Sequence, residues 1–193
     1  MKKQFGKAIS FISLFSFFVM CVSTTNAFAD KKFEKDCVIN QGFPQAEAEV
    51  LATFGGIAES IILGAGNGYS GEYMNKLIDF HGYGYKFVEF NGGESFDSAG
   101  NEHNERQLFG EDLEVWDEEK DQFAAKEGTV KVAVYCGNVA NLTFISDFKL
   151  THRTYGDITV ENLITLLFVK TKGGWKLVHE HHSPVKMPVL VTE

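Results

Sequence analysis

Proline and cysteine are scarce in this chain, with three of each among 193 residues. So little proline excludes a collagen-like or polyproline rod, and three cysteines are too few for a disulfide-framework miniprotein. Positive charge is also short: 18 Lys and Arg face 26 Asp and Glu. The sequence holds no Gly-rich phosphate loop, no Ser nucleophile elbow, no Cys–His nucleophile signature and no calcium-loop spacing. It has no internal repeat at a fixed period. What remains is ordinary globular material, 44% hydrophobic with 18 Phe, enough for one domain with a sizeable core.

The only long apolar run is Ala8–Val22 (AISFISLFSFFVMCV). Lys2, Lys3 and Lys7 precede it without any acid, and Ala27-Phe28-Ala29 follows. A charged start, a short apolar middle and a small-x-small exit predict a secretory signal peptide at residues 1–29, cleaved after Ala29. The run is short for a span, and Met20 before Cys21 excludes a lipoprotein signal. The leader takes three basic residues and no acid, leaving a net charge of −11. That charge opposes binding to nucleic acid and to anionic lipid, so neither is expected as a partner. A periplasmic or secreted location follows from the leader. Two cysteines remain, Cys37 and Cys136, where disulfides persist. They either pair, the favoured reading, or are buried thiols packing as small hydrophobes.

Residues 30–43 read as a polar lead-in. A helix is expected from Pro44, because Val50, Leu51, Phe54, Ile57, Ala58, Ile61 and Ile62 form one apolar stripe at helical period. Ser70 is placed to cap a second, shorter helix, stopped by Gly82 and Gly84. Tyr85–Phe90, a turn at Asn91-Gly92-Gly93 and Glu94–Ser98 read as a hairpin. Residues 99–128, acidic and mixed, are expected to contain a short helix or ordered loop, with the acidic run Glu111–Asp121 a solvated face. The last third reads as four long antiparallel strands: Val130–Cys136, Leu142–Leu150, Ile158–Lys170 and Trp175–Ser183. Helices before a sheet predict the α+β class. Leu163–Val169 (LITLLFV) does not alternate, so both faces of that strand need cover. A homodimer through the outer face of the sheet is one solution. Coverage by the tail or by residues 99–128 is the other.

The closing run Gly173-Gly174-Trp175-Lys176-Leu177-Val178-His179-Glu180-His181-His182-Ser183 resembles the SnoaL-like (DUF4440-type) branch of the NTF2-like superfamily. Members end in Gly-Trp-basic-aliphatic-Val-His-x-His-x-Ser, with a Thr ten residues before the Trp, here Thr165. Gly137-Asn138-Val139-Ala140 matches the neighbouring strand. The resemblance spans residues 44–186, leaves 187–193 as a tail, and is specific over 137–183. Leu163 stands where the family often has Arg. The resemblance implies a cone, in which a curved antiparallel sheet wraps helices around a pocket. It is a fold shared by ketosteroid isomerase, scytalone dehydratase, polyketide cyclases and a kinase association domain, so it does not fix a function.

Strict alternation on the last strand puts Trp175, Leu177, His179, His181 and Ser183 on one face. With Trp175 and Leu177 inside, His179 and His181 line the pocket, beside Thr165. Imidazoles there serve either as hydrogen-bonded wall or as a general base. Asp79, with His81, Tyr83 and Tyr85, is a second candidate group. Asp79 is a candidate base, and Tyr85 a ligand contact. A His-x-His pair can hold a metal, but the sequence offers only Glu161, His81 or Asp147 as guesses for a third ligand. No metal and no cofactor are therefore expected. The reading reached is an exported domain binding a small, largely apolar molecule in an enclosed pocket. Isomerase, dehydratase or cyclase chemistry, or a non-catalytic assembly role, are the alternatives.

Overall fold

The computed structural model describes residues 42–84, 86–114 and 116–185. They belong to one compact unit. Helix α1 (Pro44–Gly64) starts at its proline as expected and buries Val50, Ile57 and Ile61 from the apolar stripe. Helix α2 (Glu72–Phe80) crosses it closely because α1 presents glycine at the contact. A Cβ on Gly56 would come within 2.6 Å of the Phe80 ring. Ser70 does not cap α2. Gly71 occupies that position, with no side-chain hydrogen bond.

Strands β1 (Val88–Asn91) and β2 (Glu94–Asp97) form the expected hairpin, turned by Gly92 and Gly93 at φ 61° and 87°. Helix α3 (Ser98–Glu105) follows, N-capped by the Asp97 side chain, and runs into a π-helical segment at Arg106–Asp112. Then come β3 (Gln122–Ala125), β4 (Lys131–Tyr135), β5 (Val139–His152), β6 (Gly156–Val160), β7 (Asn162–Thr171) and β8 (Gly174–Pro184). The strand expected over Ile158–Lys170 is thus two, parting at Glu161. The sheet order is β2-β1-β8-β7-β5-β3, with β4 and β6 also on β5. Strand β5 is long enough to change partners along its length. Residues 139–145 pair β4 and β7, while residues 146–152 pair β3 and β6. That exchange curves the sheet around the helices. One pairing departs from an all-antiparallel sheet: β1 runs parallel to β8.

The buried side of β5 and β7 carries Ala140, Leu142, Phe144, Phe148, Leu150, Ile164, Leu166 and Phe168. The β7–β8 end is clamped to α1 by Glu49. Its carboxylate accepts from Lys170 Nζ at 2.6 Å and from Trp175 Nε1 at 2.9 Å. The Lys170 hydrogen bond, then that from Trp175, hold the Glu49 carboxyl down at about 2. Trp175 is therefore a packed residue under α1. Among the described residues no helix is long and apolar enough to cross a membrane.

Phe168 is fully buried at the centre of this wall. Truncation to alanine should cost about 3–5 kcal/mol in urea unfolding, through lost burial and the cavity left behind. A loss below about 1 kcal/mol would mean the core is not packed as described.

Candidate functional site

The site is created by one extra residue in β8. Phe168 pairs with Leu177 and Leu167 pairs with His179, so Val178 is left over as a β-bulge. A bulge resets the alternation of side chains. Trp175 and Leu177 point into the core before it, and Glu180 and His182 do so after it, across from Leu166 and Ile164. His179 and His181 are turned to the outer face. The strict alternation expected from sequence, and with it a pocket wall of His179 and His181, does not survive the bulge. Trp175 and the two histidines lie on opposite faces.

Glu180 is 6% exposed, and its two oxygens are bracketed by imidazoles. His81 Nε2 lies 3.0 Å from Oε1, and His182 Nε2 lies 3.1 Å from Oε2. His81 Nδ1 sits 2.9 Å from the Leu77 carbonyl. A carbonyl only accepts, so Nδ1 carries a proton, and the contact with Oε1 needs a second proton shared by His81 and Glu180. Burial pushes the Glu180 carboxyl up. The hydrogen bonds from His182 and His81 outweigh it and hold the group well below the usual carboxylate range.

The parallel pairing of β1 with β8 sets Glu89 beside Glu180. Glu89 is 4% exposed and accepts from Asn101 Nδ2 at 2.8 Å and from Asn91 Nδ2 at 3.1 Å. A carboxylate oxygen of each lies within 4.8 Å of the other, and two charges at that range repel by about 3 kcal/mol at an effective dielectric constant near 20. The rest of the surround is polar and aromatic. Tyr83 donates to Asn101 Oδ1 and stacks on His81, with centroids 4.9 Å apart and planes at 13°. Phe87 closes edge-on to Tyr83. Glu105, from the last turn of α3, is the third carboxylate. Burial first, then the charges of Glu180 and Glu89, drive its carboxyl well above the usual range. Burial and the surrounding glutamates likewise raise the Tyr83 phenol, which stays a donor.

The other sequence candidates lie apart from this cluster. Asp79 is exposed near the end of α2, where its backbone carbonyl accepts from Lys176 Nζ. Thr165 pairs across β7–β8 with His181, on the outer face. Tyr85 and Cys37 lie outside the described residues, and Cys136 follows β4 at φ 55° in the turn to β5. On the outer face His179 Nδ1 bonds the Val88 carbonyl at 2.8 Å, and Ser183 Oγ meets His181 Nε2 at 2.9 Å. An open groove of about 430 Å³ is lined by Val88, Ser95, Phe96, Asp97 and Gly100. Glu89 and Asn101 follow Val88 and Gly100 in the chain. Sequence reasoning found His81 and Tyr83 but missed Glu180, His182, Glu89, Asn101 and Glu105. One signal was present. In Phe87-Val88-Glu89-Phe90 the acid takes the inward position while Val88 and Phe90 point out, an inversion of ordinary strand patterning.

Because the Glu105 carboxyl is raised in the folded chain, its contribution to stability is complete below the unfolded carboxylate range and is lost as pH rises through the folded value. Glu105→Gln should therefore melt higher than the parent at pH 8 in EDTA, and the gain should vanish by pH 4. An equal shift at both pH values, or a loss at pH 8, would contradict this placement of Glu105.

A SnoaL-like domain model matches residues 87–188, the β1–β8 portion that carries this cluster. No protein among curated sequences matches. Solved structures match more widely. A candidate dehydratase of the NTF2-like family from Streptomyces avermitilis superposes with TM-score 0.59 at 16% identity, over 75% of this chain and 99% of its own. An NTF2-like superfamily protein from Salmonella enterica gives 0.59 at 15%, over 78% and 99%. The association domain of C. elegans CaMKII gives 0.51 at 11%, over 70% and 93%. At such identities the likeness speaks to fold alone. The family model and the helix-wrapped curved sheet agree, and the chain belongs to the SnoaL-like family, with the α+β cone of the NTF2-like superfamily.

Proposed function

We propose that this chain is an exported, homodimeric SnoaL-like domain that binds a small, largely apolar molecule at the Glu180 end of the cone. The observation that carries the reading is a buried cluster of ionisable groups on the inner face of the sheet. Two buried carboxylates and a buried imidazole, with Glu105 and His182 half-buried beside them, are costly unless they serve a task, and perturbed ionisable groups gather at functional sites. A groove at the hairpin, lined by Val88, Ser95, Phe96, Asp97 and Gly100, lies next in the chain to Glu89 and Asn101. His182, with 17% of its side chain exposed, gives the cluster a face toward solvent. Native mass spectrometry of protein expressed with its leader should find a co-purified molecule. Gly100→Phe, which fills the groove, should reduce its occupancy at least tenfold without altering the circular dichroism. Equal occupancy in the variant would reject this site.

A second reading, proton-transfer chemistry of the isomerase or dehydratase kind, is favoured by the His81–Glu180–His182 bracket. It holds a shared proton in a low-dielectric setting, where an acid–base group is effective. The bracket replaces the general-base role first assigned to His179 or His181.

The dimer rests on the outer face. Leu163, Phe90 and Val88 are 52%, 49% and 39% exposed, and Phe90 meets His179 and His181 edge-on. Apolar side chains gathered on one sheet face favour a partner, and a second copy presents the same patch about a two-fold axis. Leu163→Glu should convert a dimer to a monomer in light scattering at micromolar concentration. An unchanged mass for that variant, or a monomeric parent, would reject the interface. Export to an oxidising compartment carries the Cys37–Cys136 bridge with it. Phe43 packs on Gly137, so the chain enters the domain beside the Cys136 turn. Thiol titration of the unfolded mature protein should find no free cysteine, and two free thiols would dismiss the bridge.

A further inference from the structure

The inner cluster has a charge pattern that protein groups alone leave unbalanced. Glu89 is almost wholly buried, yet both of its oxygens are met only by the neutral amides of Asn101 and Asn91. Among the described residues it forms no ion pair. Glu180 stands beside it, with His81 on one of its oxygens and His182 on the other, so the uncompensated charge is that of Glu89. A buried carboxylate without a cationic partner is expensive and calls for a positive charge.

The donors for such a charge are already gathered. A carboxylate oxygen of Glu89, one of Glu180 and a ring nitrogen of His182 all lie within 4.8 Å of one another. The His182 Nε2–Glu180 Oε2 separation is 3.1 Å. Ligands bound at about 2.1 Å in tetrahedral or octahedral geometry sit about 3.0–3.4 Å apart, so only Glu89 needs to close in. We propose that Glu89, Glu180 and His182 form a binding site for a first-row divalent transition-metal cation such as zinc or cobalt. One imidazole and two carboxylates suit such an ion better than calcium, which takes six to eight oxygens.

The outer contacts are those a metal site uses. His81 holds the free oxygen of Glu180, and Asn101 and Asn91 orient Glu89. Support of this kind typically contributes ten- to hundredfold in affinity. On binding, His182 offers the Nε2 lone pair in place of the hydrogen bond to Glu180, and its proton moves to Nδ1. The partly exposed His182 side leaves room for water to complete the coordination shell. This inference does not rest on the small-molecule reading.

The test uses the protein dialysed against EDTA and then titrated with zinc chloride by calorimetry and with cobalt chloride by visible absorption. One equivalent should bind with a Kd at or below the micromolar range, and cobalt should give d–d bands of a low-coordinate site. His182→Ala and Glu89→Gln should each weaken binding at least tenfold. Circular dichroism checks their folding, and Glu89→Gln keeps the side-chain shape should His182→Ala misfold. His181→Ala, on the outer face, should bind as the parent does. Absence of saturable binding would overturn the proposal. So would variants at 182 and 89 that bind like the parent while His181→Ala does not. Co-purified small molecules seen by native mass spectrometry are a separate readout and would stand either way.

Discussion

The inner end of this molecule depends on a single buried carboxylate. Glu180 is held between His81, from the end of α2, and His182, two residues along its own strand. The contact with His81 joins the helical layer to the sheet 99 residues away in sequence. Next to it, the isolated bridge from His81 to Leu177 and the hydrogen bond from Gly82 N to the Leu177 carbonyl make the same junction through the backbone. Replacing Glu180 by an apolar residue would leave His81 with a buried, unanswered donor, a loss more costly than the pair's own net contribution. The cluster is thus a junction between the helical layer and the sheet.

Everything about its placement follows from Val178. Without an extra residue there, β8 would carry His179 and His181 inward and Glu180 outward. With it, the acid faces in and the imidazoles of the His-x-His pair face out. The same step explains the outer surface. Val88 and Phe90 on β1 lie beside His179 and His181 of β8, forming a half-apolar patch where an ordinary wet sheet face would be polar. Acid within and apolar residues without are two consequences of one register.

Much of this was legible in the sequence. The α1 stripe, the Gly92-Gly93 turn and the parity of Leu142, Phe144, Phe148 and Leu150 follow from periodicity and turn chemistry, and the family resemblance rests on the Trp175–Ser183 run. The site was less legible because bulges leave no mark in composition. The extra residue is set by curvature and by the pairing of β7 with β8, both tertiary properties. The parallel β1–β8 contact that brings Glu89 to Glu180 joins segments about 90 residues apart, beyond any local pattern. The break at Glu161 that divides β6 from β7 is likewise invisible to a hydrophobicity reading, since both pieces are rich in strand formers.

The most direct test of the account is nuclear magnetic resonance of protein labelled with ¹⁵N-histidine, in EDTA. His81 should show ring protons on both nitrogens that exchange slowly with solvent, one bonded to the Leu77 carbonyl and one shared with Glu180. Glu180→Gln should abolish the slow exchange at Nε2 alone. Ring protons of His81 that exchange as fast as those of free imidazole, with Glu180→Gln leaving them unchanged, would show that the inner cluster does not exist as described.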